Sequence, residues 1–212
     1  SKRLYVVPQS AFSPKPYLID ITLQREKVAS WKEYPFSLPV VQTLDTLQFH
    51  PDVTFFIGEN GMGKSTLLEA IAILLGFNAE GGSKNVQFST RDTQSDLSGY
   101  LRSGKSFNAA RDGYFLRAES FYNVASYLDD VEVTGSYGGK SLHAQSHGES
   151  FLSLLQYRFN GNGLYLLDEP EAALSPTRQL AVLALMHKLV NANSQFIIAT
   201  HSPILLAYPN AR

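Results

Sequence analysis

Apolar positions along the chain fall into two textures. Over 1–77, short runs rich in β-branched and aromatic residues lead into one amphipathic stretch. Tyr17–Leu23 and Val53–Ile57 have the length and composition of buried strands. The aromatic- and proline-rich segment Trp31–Pro39 between them reads as loop and edge structure. At Ser65–Leu75 the period changes: Leu67, Leu68, Ile71, Leu74 and Leu75 share one face of a helix, and Gly76 follows as its stop. The stretch 78–113 is polar and punctuated by Gly81, Gly82, Gly99 and Gly104. It carries Lys84, Arg91, Arg102, Lys105 and Arg111 against Asp92, Asp96 and Asp112. Two readings stand for it: a solvated insertion of loops, or an arm facing a partner or nucleic acid.

Alternation returns at Tyr114–Glu119, a predicted strand, and Phe121–Leu128 reads as helix. Thr134–Gly148 is again rich in glycine and serine. From Glu149 the order is helix, strand, helix, strand. Leu164–Leu167 and Phe196–Ala199 are continuous apolar runs of the kind buried in a parallel sheet. Ser175-Pro176 supplies an N-cap and a first-turn proline for the joining helix, which runs to about Val190. The pattern predicts an α/β fold, with a mainly parallel sheet flanked by helices.

Composition narrows the function without choosing it. The 212 residues suit one domain with a small subdomain, and 44% hydrophobic with 17% charged residues is ordinary for a globular chain. A formal net charge of −1 gives no global attraction toward nucleic acid or an anionic membrane, so any such contact needs a local basic patch. There is no cysteine, which removes disulfides, thiolate metal sites and cysteine nucleophiles. Ser1–Ser10 lacks the apolar core of a signal peptide, and no run approaches the roughly 18 apolar residues of a membrane span. A cytoplasmic protein without an integral membrane segment is the expectation.

The chemistry is concentrated in two places. Gly58-Glu59-Asn60-Gly61-Met62-Gly63-Lys64-Ser65 satisfies the phosphate-loop pattern G-x-x-x-x-G-K-[ST], and it lies between a predicted strand and a predicted helix. Gly58, Gly61 and Gly63 let the backbone turn its N–H groups toward phosphate oxygens, and the helix start adds partial positive charge. Lys64 is the candidate bridge between β- and γ-phosphates, and Ser65 is a candidate magnesium ligand. Asn60 and Thr66 belong to the same nucleotide-binding segment. Further on, the apolar strand Leu164–Leu167 ends in Asp168-Glu169. Asp168 is thereby aimed at magnesium, and Glu169 at the attacking water. ATP and Mg2+ are the expected cofactors.

Three further pieces carry a resemblance. Glu171-Ala172-Ala173-Leu174-Ser175 follows Glu169-Pro170, the strand Phe196–Ala199 leads into Thr200-His201-Ser202-Pro203, and Ser146-His147-Gly148-Glu149 stands about 20 residues before Asp168. These resemble the D-loop, switch histidine and signature motif of ABC-type P-loop ATPases. Within them the chain looks most like stand-alone predicted ATPases related to chromosome-maintenance and recombination heads. The resemblance implies a nucleotide-binding core over 1–77 and 150–212 and a helical and loop subdomain over 78–149. It also implies a head-to-tail homodimer in which Ser146 and the Gly148 backbone of one copy meet the γ-phosphate held by Lys64 of the other. His201 is the implied γ-phosphate contact.

Departures accompany it. The signature reads Ser-His-Gly-Glu, Ser175 stands where aspartate is common, and Glu119 replaces the expected glutamine, with Gln87 as a weaker alternative. Glu119 is thus a candidate in the magnesium shell. His143, His147 and His187 lack metal-ligand spacing. Trp31, Tyr34 and Phe36 are open candidates for stacking on adenine. Three purposes fit: an ATP-driven dimerisation switch in DNA maintenance or defence, the nucleotide-binding subunit of a transporter, or a module whose nucleotide occupancy controls a protein partner. Lys64 and Ser146 stand about 80 residues apart, too few for a long paired coiled-coil arm.

Overall fold

The computed structural model describes residues 13–83, 96–121 and 147–212. Among the described residues, two sheets enclose the helix Lys64–Leu74. The first is antiparallel and three-stranded, in the order β2-β1-β4: β1 is Leu18–Leu23, β2 Thr46–Gln48 and β4 Leu101–Lys105. The second is parallel and four-stranded, in the order β3-β7-β6-β5: β3 is Val53–Phe56, β5 Asp112–Arg117, β6 Gly163–Asp168 and β7 Gln195–Ala199. The helices are α1 (Pro39–Thr43), α2 (Lys64–Leu74), α3 (His147–Arg158), α4 (Pro176–Asn191) and α5 (Pro203–Leu206).

Alternation along the parallel strands divides the core in two. Phe115, Leu164, Leu166, Ile197 and Ala199 point toward α2, whose Leu67, Leu68 and Ile71 also reach Leu18 and Ile21 of the antiparallel sheet. Tyr114, Leu116, Tyr165, Leu167, Phe196 and Ile198 point the other way, onto Phe151, Leu154, Val182, Met186 and Leu205 of α3, α4 and α5. Every residue of β6 and β7 is buried, which is why these strands are continuously apolar and not alternating. The layers are therefore antiparallel sheet, α2, parallel sheet, outer helices.

Gln195 joins the two sheets. Its fully buried amide accepts from the N–H groups of Tyr17 and Leu18 at 2.9 and 3.0 Å, and donates to the carbonyls of Leu18 and His50. Four backbone groups at the seam between the sheets thus use one side chain, as burial requires.

Most expected elements are present within a residue or two, and Gly76 terminates α2 with φ 90°. The polar stretch 78–113 differs from the loop expected of it. Leu101–Lys105 forms β4 against β1, and β5 starts at Asp112 beside β6. β4 has one buried apolar residue, Leu101, so its strand character comes from backbone pairing and not from a hydrophobic pattern. The predicted helix 121–128 beyond its first residue, and the candidate Gln87, lie outside the described residues.

Candidate functional site

All four parallel strands run in one direction, so their carboxyl ends share an edge, where open α/β sheets bind ligands. At that edge β3 passes into Gly58–Gly63, β6 ends in Asp168-Glu169, β7 leads to His201, and β5 ends at Arg117. Sheet-like bonds extend past the strands: Ala118 N–H donates to Asp168 O, Glu169 N–H to Ala199 O, and Thr200 N–H to Phe56 O. The site residues therefore hang from a rigid platform.

The loop conformation depends on its glycines. Gly61 and Gly63 have φ of +81° and +96°, in the left-handed region. At Gly63 a Cβ would also lie 2.9 Å from Val40 Cγ1 and 3.0 Å from Leu38 Cδ1, because α1 supports the loop from behind. Val40 N–H donates to Met62 O across the same contact. Lys64 is buried and curls back over the loop, its Nζ donating to Gly58 O at 2.8 Å and Glu59 O at 3.1 Å. That leaves one of its three N–H donors and a loop of backbone amides at the start of α2, a fit for phosphate.

Ser65 and Asp168 come from elements far apart in sequence, yet Ser65 Oγ donates to Asp168 Oδ1 at 2.8 Å. A hydroxyl and a carboxylate in contact form a hard-oxygen set suited to magnesium. Burial pushes the Asp168 carboxyl up to about 6; the Ser65 hydrogen bond and Arg117 oppose this, while Glu169 and Glu69 add to it. Glu169 sits at φ 47°, an uncommon conformation for a side-chain-bearing residue, which turns the chain sharply after the strand. Its carboxylate is half exposed and 3.7 Å from His201 Nε2.

Two adjoining hollows share Ser65 and Glu169. One is lined by Asn60, Gly61, Gly63, Lys64 and Thr66, the other by Glu119, Phe121 and Asp168. Apart from Gly58, which meets Lys64 through its carbonyl, the expected loop residues line the first hollow. Glu119 borders the second with its side chain largely exposed. Ser146 lies outside the described residues, and Gly148 falls in the first turn of α3. Of the three aromatic candidates, Phe36 is buried edge-on against Tyr100 at 4.7 Å, and Trp31 carries the Arg25 guanidinium on its ring at 4.2 Å. Tyr34 is exposed, with its hydroxyl 3.5 Å from Thr66 Oγ1.

Sequence reasoning missed the residues that hold these groups in place. Glu171 Oε1 accepts from the His201 N–H at 2.6 Å, and its other oxygen is buried without a hydrogen bond. Gln179 donates to Leu174 O and accepts from the Ser202 hydroxyl, tying the segment after Glu169 to the segment after His201. Ser202 also caps α5 by accepting from Leu205 N–H. Ser175 caps α4 through Arg178 N–H, as expected. Arg117 lies among Glu69, Glu119 and Asp168.

Two family models match. Residues 39–127 match one described as "AAA domain", and residues 149–207 one described as "AAA domain, putative AbiEii toxin, Type IV TA system". The chain is 27% identical over 179 residues to the macrolide export ATP-binding/permease protein MacB of Neisseria meningitidis, covering 75% of this chain and 28% of that protein. It is 25% identical over 180 residues to the pyoverdine export ATP-binding/permease protein PvdT of Pseudomonas entomophila, covering 74% and 27%. The chain thus spans little more than a quarter of these relatives. Among solved structures, the SMC head domain from Thermotoga maritima aligns at 15% identity and a TM-score of 0.48, covering 92% of this chain and 93% of that one. With its phosphate loop between β3 and α2, its acid pair at the end of β6, and both parts of the chain matching AAA-domain models, this chain is similar to P-loop ATPases of the ABC type.

Proposed function

We propose that the chain hydrolyses ATP to ADP and phosphate with magnesium, and that it does so as one half of an ATP-closed dimer. The observation that carries the reading is the 2.8 Å contact of Ser65 Oγ with Asp168 Oδ1 at the head of α2, with Lys64 and Glu169 bordering the same hollows. Ser65 and Asp168 would hold magnesium, with Glu119 at the margin, and the ion would supply charge neutralisation for the transferred phosphoryl group.

The chain's own residues do the rest. Backbone amides of Gly58–Gly63 and the start of α2 receive the phosphates, and Lys64 exchanges loop carbonyls for phosphate oxygens. Glu169 accepts the proton of the attacking water or orients it. His201, next to Glu169, donates to the phosphoryl oxygen on which charge grows. Ser146 and the Gly148 backbone of a second copy complete the site, which makes a monomer slow. Replacing Glu169 by Gln removes the proton acceptor, so turnover should fall by about 10²- to 10⁴-fold. Sedimentation of Glu169→Gln with ATP should show dimers; a persistent monomer, or wild-type turnover, refutes the proposal.

We assign the cycle to a switch acting in DNA maintenance or defence, a reading supported by the toxin-system description of the family matched over 149–207. DNA-stimulated turnover with salt-sensitive DNA binding tests its DNA arm. A second reading, the nucleotide-binding part of an exporter, is favoured by the names of the sequence relatives. No helix among the described residues is long and apolar enough to cross a membrane. The exporter reading predicts co-purification with a membrane permease.

A further inference from the structure

Arg117 ends β5 and is the register partner of Asp168 in the parallel pair β5–β6. Its side chain is only 16% exposed, and its guanidinium faces three carboxylates. Nη1 donates to Glu69 Oε2 at 2.7 Å and to Ala79 O at 3.3 Å; Nη2 is 3.8 Å from Glu119; Nε is 3.5 Å from Asp168 Oδ2. Nε is buried and makes no hydrogen bond, so its attraction to Asp168 is a charge contact across a short gap.

Glu69 stands four residues after Ser65 on α2, one turn along the same face. Helix α2 therefore grips Asp168 twice. Ser65 holds Oδ1 directly, and Glu69 holds the guanidinium that attracts Oδ2. The ring Ser65–Asp168–Arg117–Glu69 closes on the helix that starts at the phosphate loop. A planar guanidinium can serve two carboxylates at once in fixed directions, which an ammonium cannot.

We infer that Arg117 is a positioning residue: with Glu69 it orients the Asp168 carboxylate against Ser65, and so sets the magnesium-dependent part of nucleotide affinity. The inference rests on the magnesium-ATP reading of the site. An Arg117 that only neutralised Glu69 would affect stability, and its loss would leave the gain in affinity from magnesium unchanged.

The test is binding of a fluorescent, non-hydrolysable ATP analogue, measured in EDTA and in saturating Mg2+, to wild type, Arg117→Gln, Arg117→Lys and Glu69→Gln. Residues that orient a metal ligand typically change metal affinity by 10- to 100-fold. In Arg117→Gln the ratio of the two Kd values should fall by about tenfold or more, with the EDTA value within about twofold of wild type. Glu69→Gln should move the ratio the same way, and it carries the test if Arg117→Gln does not fold. Arg117→Lys, which keeps the charge, should recover part of the effect. Unchanged ratios in Arg117→Gln and Glu69→Gln, or equal loss in both buffers, overturn the inference while the site reading stands. A wild type whose affinity ignores magnesium overturns both.

Discussion

Replacing Asp168 by Asn should change the pH dependence of stability in a calculable way. The carboxyl has a folded-state pKa of about 6, against an ordinary value of 3.8, because burial disfavours its charge more than Ser65 and Arg117 favour it. A raised pKa means that the folded state holds the proton more tightly than the unfolded state. The resulting stabilisation is full below the unfolded value and is lost as pH rises through about 6. A shift of about two units is worth roughly 3 kcal/mol, of which about 2.5 kcal/mol falls between pH 4 and pH 8. Asn cannot titrate, yet its carbonyl can still accept from Ser65.

The stability of Asp168→Asn relative to wild type should therefore rise by about 2.5 kcal/mol from pH 4 to pH 8, roughly 5–10 °C in Tm for a chain of this size. Nucleotide-free thermal or urea unfolding at both pH values measures it, and other groups largely cancel in the difference. A gap that is constant with pH, or that narrows toward pH 8, refutes the reasoning. The expected sign has a functional meaning: the fold keeps a carboxylate charged where its charge is costly, and a bound cation would offset that cost. Magnesium and ATP should accordingly raise the Tm of wild type at pH 8 far more than that of Asp168→Asn.

Three other changes probe the supports. Gln195→Leu strands two amide donors and two carbonyls at about 1–3 kcal/mol for each group left unpaired, so a loss of at least about 4 kcal/mol is expected in urea unfolding; less than about 1 kcal/mol would contradict the seam role. Glu171→Ala frees the His201 backbone, and losing a charge-assisted hydrogen bond of about 1.5–3 kcal/mol should lower kcat by roughly 10- to 100-fold with KM for ATP nearly unchanged. A change confined to KM would show that Glu171 does not position His201. Gly63→Ala forces a Cβ onto Val40 and Leu38 at φ +96°, so ATP binding by calorimetry should be lost while circular dichroism stays native.

Much of the site was legible from sequence because its signals are local. Gly61 and Gly63 are spaced for a turn before a helix, and an apolar strand ending in two acids announces itself within six residues. The continuous apolar runs of β6 and β7 likewise declare a buried parallel sheet. The bulk of the partnering did not show, since it joins residues far apart in sequence. Leu101–Lys105 has almost no hydrophobic pattern and becomes β4 only because β1 offers it backbone partners. Gln195 stands just before the apolar run Phe196–Ala199, and the four groups it satisfies lie more than a hundred residues away.

What the sequence carried by itself was the set of groups behind the proposed chemistry: a glycine-rich loop before a helix, two acids at the end of an apolar strand, and a histidine after the adjoining strand. What tertiary structure alone decided was how those groups are held. Strand register puts Arg117 beside Asp168, helical spacing puts Glu69 one turn from Ser65, and packing brings Glu171 to the His201 amide. A carboxylate's charge and a glycine's freedom belong to the residue, whereas the burial that raises the pKa of Asp168 belongs to the fold.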